Sequence, residues 1–493
     1  TEEEIRKELR DRGIKTLSIG QAGENMVRMA CPIATGDRAP GRTGTGAVMG
    51  SKNLKAIAVR GSKSVKVAEP DKYIKLVKKW HDDGPHQSMY NLIAIEQGTA
   101  FLLRAENESY GLGIRNAQEI HLPEEILGTL YGDRITPKYG RQRVGCFACP
   151  TLCARLMIIN DGPYAGEKGK RPEGGCLMSF GPRIGVYDDF PFIFRVTHLA
   201  NQYGMDSVSL SAVIAAAMEW FQRGIITRED TDGLELEWGN KPVILELLRK
   251  IATREGFGGV LAEGTLKAAK KIGKEAEKYV YHSQGMDEYN GYAPDTMGAN
   301  LAFATSTRGF DHLRGMPTKM MPELRDGAKP GEMLSGTSYD SRWAEIVQWT
   351  RRMNTAADLA EVCKFNTEWA LFDKDCNVAR IAELLAAITG VDFNEELLIQ
   401  ACDRVYCVEK AYNVREGNRR EDDNPPSQFF ERPIWDGPNK GFQLDKVKFG
   451  ELKDYYYELE GWDKKSGAPS REALERLSLK YIADELEKHG VYQ

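Results

Sequence analysis

From residue 70 to about 280 apolar residues return every three to four positions, the period of helices that bury one face, whereas residues 1 to about 63 alternate a charged amphipathic helix with strand-like runs. Those runs predict strands over 16–20, 26–30 and 56–60. Composition shifts at Ser62, Lys63 and Ser64, and the helical pattern sets in at Pro70. Asp188, Asp189 and Pro191 open an apolar helix predicted over 192–202, and Gly204 ends it; Asp206 and Ser207 then cap a second helix over 208–223. That junction aims the unpaired N–H groups of a helix start at whatever lies beside Asp206. Beyond 281 a glycine-rich segment, 285–315, precedes helices predicted over 343–353, 358–372 and 378–388. A polar loop, 415–426, leads into a tail that ends in two amphipathic helices.

Size and charge narrow the classes. A chain of 493 residues, 41% hydrophobic and 28% charged, can bury a large core and divides into several domains. Its net charge of -5 offers no basic face for nucleic acid, so none is expected as a partner. Arg141 and Arg143 are a local exception, read either as a place for an acidic redox protein to dock or as ordinary solvated charges. No apolar run reaches the roughly 18 residues of a membrane span, and the charged opening has no signal-peptide core, which together predict a soluble, cytoplasmic protein. The absent initiator Met suggests a processed chain, a separate subunit, or a fragment whose upstream partner lies elsewhere.

The chemistry is concentrated in Cys146, Cys149 and Cys153, which put three of the nine cysteines into eight positions. Thiols in a Cys-x2-Cys-x3-Cys turn are too close to pair with one another and too polar together to be core residues. They read as three ligands of one [4Fe-4S] cluster, against the alternative of a zinc knot, which prefers two separated Cys-x2-Cys pairs. Spacing leaves the fourth ligand open among Cys31, Cys176, Cys363, Cys376, Cys402 and Cys407. Glycines at 41, 44, 46 and 50 form a loop that lets backbone N–H groups approach phosphate-like oxygens. One internal echo stands out: Asn201 to Asp206 and Asp358 to Cys363 share an amide or acid, two variable positions, an apolar residue and a polar end.

Taken together, these pieces resemble the aldehyde ferredoxin oxidoreductase family of tungsten enzymes. The resemblance runs through Gly-Ala-Val-Met-Gly-Ser-Lys-Asn-Leu-Lys-Ala-Ile at 46–57, the cysteine triplet, the two echoing motifs, Arg-Gly-Phe-Asp-His-Leu-Arg-Gly at 308–315, and Phe-Gly-Glu-Leu-Lys-Asp-Tyr-Tyr-Tyr-Glu-Leu-Glu-Gly-Trp-Asp at 449–463. It implies an α+β fold: an N-terminal β-rich pterin-binding portion, incomplete in this chain, over 1–66, then mostly α-helical domains over 67–280 and 281–493. It implies tungsten or molybdenum on two pyranopterins, a Mg2+ ion bridging their phosphates, and Cys363 as the fourth ligand of the [4Fe-4S] cluster. The pterins would be held by Gly41, Arg42 and Thr43, by Asn201, Gly204 and Asp206, and by Asp358. Asn201 stands where the family carries Asp, and Glu361 where it carries Gly.

The resemblance implies His312 and Glu173 as catalytic residues, with Gly175 where the aldehyde enzymes have a second acid. Cys176, thirty residues before Asp206, is similar in placement to the metal-bound cysteine of class II benzoyl-CoA reductases; a small buried thiol packing beneath the loop is the alternative. The activity implied is oxidation of an aldehyde to a carboxylate, with ferredoxin or an iron-sulfur subunit as electron partner, in a homodimer or a multi-subunit complex. A low-potential aryl-CoA reductase and a non-catalytic iron-sulfur subunit are the rivals.

Overall fold

A computed structural model describes residues 1–492 apart from 36, 83–88, 290, 292, 316, 318–333 and 368–377, and apart from the side chains of 89–91. Near the N-terminus the strand Lys15–Ile19 lies between Pro32–Ala34 and Ala56–Val59, antiparallel to both, with Leu17 opposite Ala34 and Ile57. Two of the three predicted strands thus form. The third, 26–30, does not. Met26 sits at φ 52, and this segment spends its backbone on distant elements: the Arg28 N–H donates to the Ala262 carbonyl at 3.0 Å, and the Met29 carbonyl accepts from the Asp206 N–H at 2.9 Å. Val27, Met29 and Ala30 are buried against helices there, so their apolar pattern reports packing on a helical body and not a pleated ladder.

A second antiparallel sheet, Gly140–Val144, Ala154–Ile158 and Lys168–Lys170, interrupts the helical stretch. Its first strand, Gly-Arg-Gln-Arg-Val, is mostly exposed and has no apolar alternation to reveal it. The loop between its first two strands carries the cysteine triplet.

Helices make up most of the rest. The helix Phe190–Tyr203 starts at Asp189, whose carboxylate accepts from the Phe192 N–H, and ends at Gly204 in a left-handed turn with φ 73. The next, Ser207–Gln222, is buried almost all round and packs with Gly174–Phe180 in the larger core, which reaches from Ala22 to Val280. A second core gathers Met297–Thr305, Arg342–Leu359, Glu395–Arg415 and Lys446–Glu460 around Trp343, Tyr406, Tyr456 and Trp462. Met297–Thr305 lies inside the glycine-rich segment; all nine of its residues are buried, so it shows no polar face by which a helix would be recognised. The helix predicted over 358–372 does not form at its start, because Arg342–Leu359 ends there and Glu361 turns left-handed at φ 55; residues 368–372 lie outside the described residues. The two tail helices are Arg471–Arg476 and Lys480–Lys488. The protein is α+β, with small sheets on a mostly helical body. No described helix is long and apolar enough to cross a membrane.

Candidate functional site

Between the strands Gly140–Val144 and Ala154–Ile158 the chain must turn through Cys146, Cys149 and Cys153, and it does so with Ala148 at φ 52 and Leu152 at φ 48. Left-handed backbone at two non-glycine residues costs about 1–2 kcal/mol each, so the loop is held in this shape by its surroundings. The Cys149 N–H donates to the Cys146 carbonyl at 3.2 Å. Arg171, only 6% exposed, donates to the Cys153 carbonyl at 2.7 Å and to Thr136 Oγ1 at 3.1 Å, bracing the end of the turn from beneath.

Cys363 arrives from the loop after Arg342–Leu359, more than two hundred residues later, and meets this turn. Asn366 ties the two segments together: it accepts from the Thr151 hydroxyl at 2.8 Å, and its amide donates to Cys149 Sγ at 3.9 Å. Burial pushes the Cys153 thiol up to about 11, with Glu173 adding to the rise, Arg38 opposing it, and Cys363 and Cys149 raising it further. Cys363 is raised in turn by burial and by Cys149 and Cys146. Burial and the nearby cysteines thus disfavour the thiolate forms of Cys153 and Cys363, which a bound cation would stabilise. Among the described residues no three His, Cys, Asp or Glu side chains close on a single metal ion. Of the other candidates, Cys31, Cys402 and Cys407 are buried and Cys376 lies outside the described residues.

The internal echo of the sequence becomes an echo of backbone geometry. In the first motif the Gly204 N–H donates to the Asn201 carbonyl at 3.1 Å and the Met205 N–H to Ala200 at 2.9 Å; in the second the Glu361 N–H donates to Asp358 at 3.2 Å and the Val362 N–H to Ala357 at 2.9 Å. Both are helix C-termini closed by a left-handed residue, glycine in one and glutamate in the other. Each motif also has an arginine. Arg42 Nε lies 3.6 Å from Asp206, and Arg314 Nη1 lies 3.0 Å from Asp358. Asp206 additionally caps Ser207–Gln222, accepting from Ser209 N–H at 2.9 Å, as expected. Asp358 also takes Lys364 at 2.9 Å.

Arg42 is buried and joins three parts of the chain: besides Asp206 it donates to the backbone carbonyls of Asp287, at 2.6 Å, and Phe310. Thr43 and Gly44 next to it are left-handed at φ 79 and 74, and a Cβ on Gly41 would lie 3.8 Å from Asp206. A cavity of about 490 Å³ opens here, lined by Thr43, Gly44, Asp206, Asp287, Arg28 and Arg308 among others. The Nε–H groups of Arg42 and Arg314, both buried, find no hydrogen-bond acceptor among the described residues.

Glu173 precedes the helix Gly174–Phe180. Its carboxylate takes Arg38 at 2.8 Å and the Thr99 hydroxyl at 2.6 Å, which fixes its orientation. One turn on, Cys176 Sγ lies 3.4 Å from Ser207 Oγ; burial pushes this thiol up to about 11, the Ser207 contact opposes the rise, and Glu173 and Asp206 add to it. His312 stacks on Tyr289, ring centroids 3.9 Å apart, and burial pushes its imidazole down to about 4, so it is neutral near pH 7. Burial and the charges of Glu106 and Cys176 raise the Tyr289 hydroxyl.

The structure thus gathers the four cysteines, Glu173, Cys176, the Asn201–Asp206 turn, the Gly41–Thr43 loop and His312 in one continuous region. Arg38, Thr99, Arg171, Tyr289, Arg314 and Asn366 were missed by sequence reasoning. Each acts on a partner at least 18 positions away, and nothing in its local pattern signals that.

Family models match two stretches of the chain: aldehyde ferredoxin oxidoreductase, N-terminal domain, over residues 1–61, and domains 2 and 3 of the same enzymes over residues 75–479. The tungsten-containing aldehyde ferredoxin oxidoreductase of Pyrococcus furiosus is 32% identical over 481 residues, spanning 97% of this chain and 76% of that protein. An aliphatic sulfonate oxidoreductase, WOR-like subunit, from the same organism is 30% identical over 97% of this chain and 73% of its own length. Among solved structures, the active site complex BamBC of benzoyl coenzyme A reductase with 1,5-dienoyl-CoA matches with a TM-score of 0.81 and 25% identity, covering 100% of this chain and 77% of that one.

Proposed function

Since the chain belongs to the aldehyde ferredoxin oxidoreductase family and is an oxidoreductase, we propose that it oxidises an aldehyde to a carboxylate with a tungsten or molybdenum bis-pyranopterin and passes the electrons through a [4Fe-4S] cluster to ferredoxin or an iron-sulfur subunit. The observation that carries this reading is the recurrence of one helix end, with the same backbone hydrogen bonds and its own buried arginine, at 201–206 and at 358–363, the second of which ends in Cys363. Two arginine Nε–H groups without a hydrogen-bond acceptor among the described residues, that of Arg42 with only the Asp206 charge 3.6 Å away, suit a group bearing phosphates, which guanidinium binds strongly. The cavity beside Arg42, lined by Thr43 and Asp206, would receive part of the same group, which Gly41, Asn201, Gly204 and Asp358 would also hold, with Mg2+ as a counter-ion for its phosphates. On this reading the chain divides near 66 and 280, and Cys146, Cys149, Cys153 and Cys363 hold the cluster.

The bound metal centre would supply the two-electron oxidation. The chain's own residues supply placement and proton handling. His312, neutral near pH 7 and clamped on Tyr289, would take up a proton set free as aldehyde and water are oxidised to the carboxylate, once the charge left there offsets the burial that now holds its imidazole at about 4. Glu173, held by Arg38 and Thr99, presents a carboxylate of fixed orientation three residues before Cys176. With metal-loaded protein, an aldehyde and a viologen acceptor, His312→Ala lowers kcat by about 10²-fold; full activity in that variant removes the residue from the mechanism.

Cys176 favours a second reading. Its sulfur faces Ser207 beside Asp206, where it would give the metal a further thiolate, as in an aryl-CoA reductase. X-ray absorption separates the two: five sulfur neighbours on the metal, reduced to four in Cys176→Ser, support the reductase, and four in both eliminate it.

A further inference from the structure

We propose that the tip of the hairpin Gly140–Val144 and Ala154–Ile158 is the docking face for a small acidic electron-carrier protein, with Phe147 as its apolar anchor and the exposed Arg141 and Arg143 as its charged rim. The inference rests on reading the four thiols as cluster ligands and goes on to say where electrons leave or enter the chain.

Phe147 is the most exposed large apolar residue described, at 101%, and it stands between two of the proposed ligands. Leu152, 40% exposed, and exposed Pro150 extend the apolar tip, while Cys146 and Cys363 are themselves exposed beside it. An aromatic ring held in water on a braced turn gains by being covered, and such rings are the residues on which protein interfaces most often depend.

The flank of the hairpin supplies the sign of the partner. Arg143 and Arg155 are opposite one another across the ladder, a like-charge pair that is unfavourable unless countered, and both turn to the single carboxylate of Glu96. Arg141, exposed on the same strand, bonds only a backbone carbonyl, that of Gly140, among the described residues. Arg141 and Arg143, with Arg155 behind them and Glu96 as their shared carboxylate, make the flank of the hairpin positive on a chain whose net charge is -5, set back from the cluster at the tip, which would itself carry negative charge. An acidic carrier is therefore repelled by the molecule as a whole and drawn to this face, which orients it over the exposed thiols. A second copy of this chain is disfavoured, since a two-fold contact would set arginine against arginine.

The test uses the full chain, reduced with dithionite and mixed in a stopped-flow instrument with an acidic [4Fe-4S] ferredoxin. The second-order rate constant of the native protein should fall steeply with added salt. Phe147→Ser should lower it about tenfold and Arg141→Glu by a similar factor, the latter also weakening the salt dependence, while oxidation by a small viologen stays unchanged. Tyr481→Ser, an exposed ring on a distant tail helix, should leave both rates as they are. Should Phe147→Ser lose iron, Arg141→Glu decides alone. Ferredoxin rates within twofold of native in the iron-loaded variants overturn the proposal, as does a dimer abolished by Phe147→Ser with the ferredoxin rate intact. Native protein without iron instead overturns the cluster reading on which it rests.

Discussion

Replacing Gly204 by alanine and Glu361 by glycine perturbs the same position in the two matching helix ends and should give unequal results. At 204 the backbone is left-handed, φ 73, and an added Cβ would lie 2.8 Å from the Gly20 nitrogen and 3.0 Å from the Cys31 oxygen. Both neighbours are backbone, and the second belongs to a residue whose N–H already donates to the Gly204 carbonyl at 2.8 Å, so neither can step aside. The left-handed conformation costs alanine about 1–2 kcal/mol, the overlap adds about 1–3 kcal/mol, and the stiffer unfolded chain returns roughly 0.5–1 kcal/mol. The balance is a loss of about 2–3 kcal/mol, which in a cooperative unit of 150–250 residues lowers the unfolding temperature by about 5 °C. At 361 the glutamate side chain is exposed at φ 55 and already carries the strain. Glycine there recovers about 1–2 kcal/mol and gives back roughly 0.5–1 kcal/mol, a change of about 1 kcal/mol or less in the stabilising direction. Thermal unfolding followed by circular dichroism measures both. Equal shifts, or an alanine at 204 that unfolds with the native protein, would refute the claim that this turn is locked against the Gly20 and Cys31 backbone.

Arg42→Ala withdraws a buried guanidinium from Asp206 and from two carbonyls, and should cost about 3–5 kcal/mol in denaturant unfolding; a cost below about 1 kcal/mol contradicts its role as a joint. Arg171→Gln removes the donor to the Cys153 carbonyl, and reconstituted protein should bind less iron while keeping its helical circular dichroism. His282 accepts the Gly285 N–H on Nδ1, and burial pushes it down to about 4, as burial does for His312. The unfolded state then binds more protons than the folded one between about pH 4 and pH 6.5, so stability should fall as pH drops through that window and change little above it. His282→Gln should flatten part of that slope in guanidinium midpoints measured near pH 7 and near pH 5.

Much of the site was legible because its signals are local. The cysteine spacing, the glycine that ends Phe190–Tyr203 and the Asp206 cap lie within a few residues of what they determine. The echo of 201–206 in 358–363 looked weak in residue types and is strong in hydrogen bonds, because the left-handed turn that defines it tolerates glutamate at a cost. The same tolerance is why a continuous helix was expected across Glu361. Strand 140–144 was not legible, since a hairpin that faces water on both sides has no apolar alternation. The apolar run at 26–30 gave the opposite error, buried residues without a ladder. Tyr289 beneath His312, Arg38 on Glu173 and Asn366 between the cysteine segments depend on tertiary approach alone.

The most direct test of the central claim is the iron content, measured by elemental analysis, of anaerobically prepared native protein beside Cys363→Ser and Cys402→Ser. The account predicts about four iron atoms per chain in the native protein and in Cys402→Ser, whose thiol is buried away from the turn, and a marked loss in Cys363→Ser. Native protein without iron, or full iron in Cys363→Ser, would contradict it.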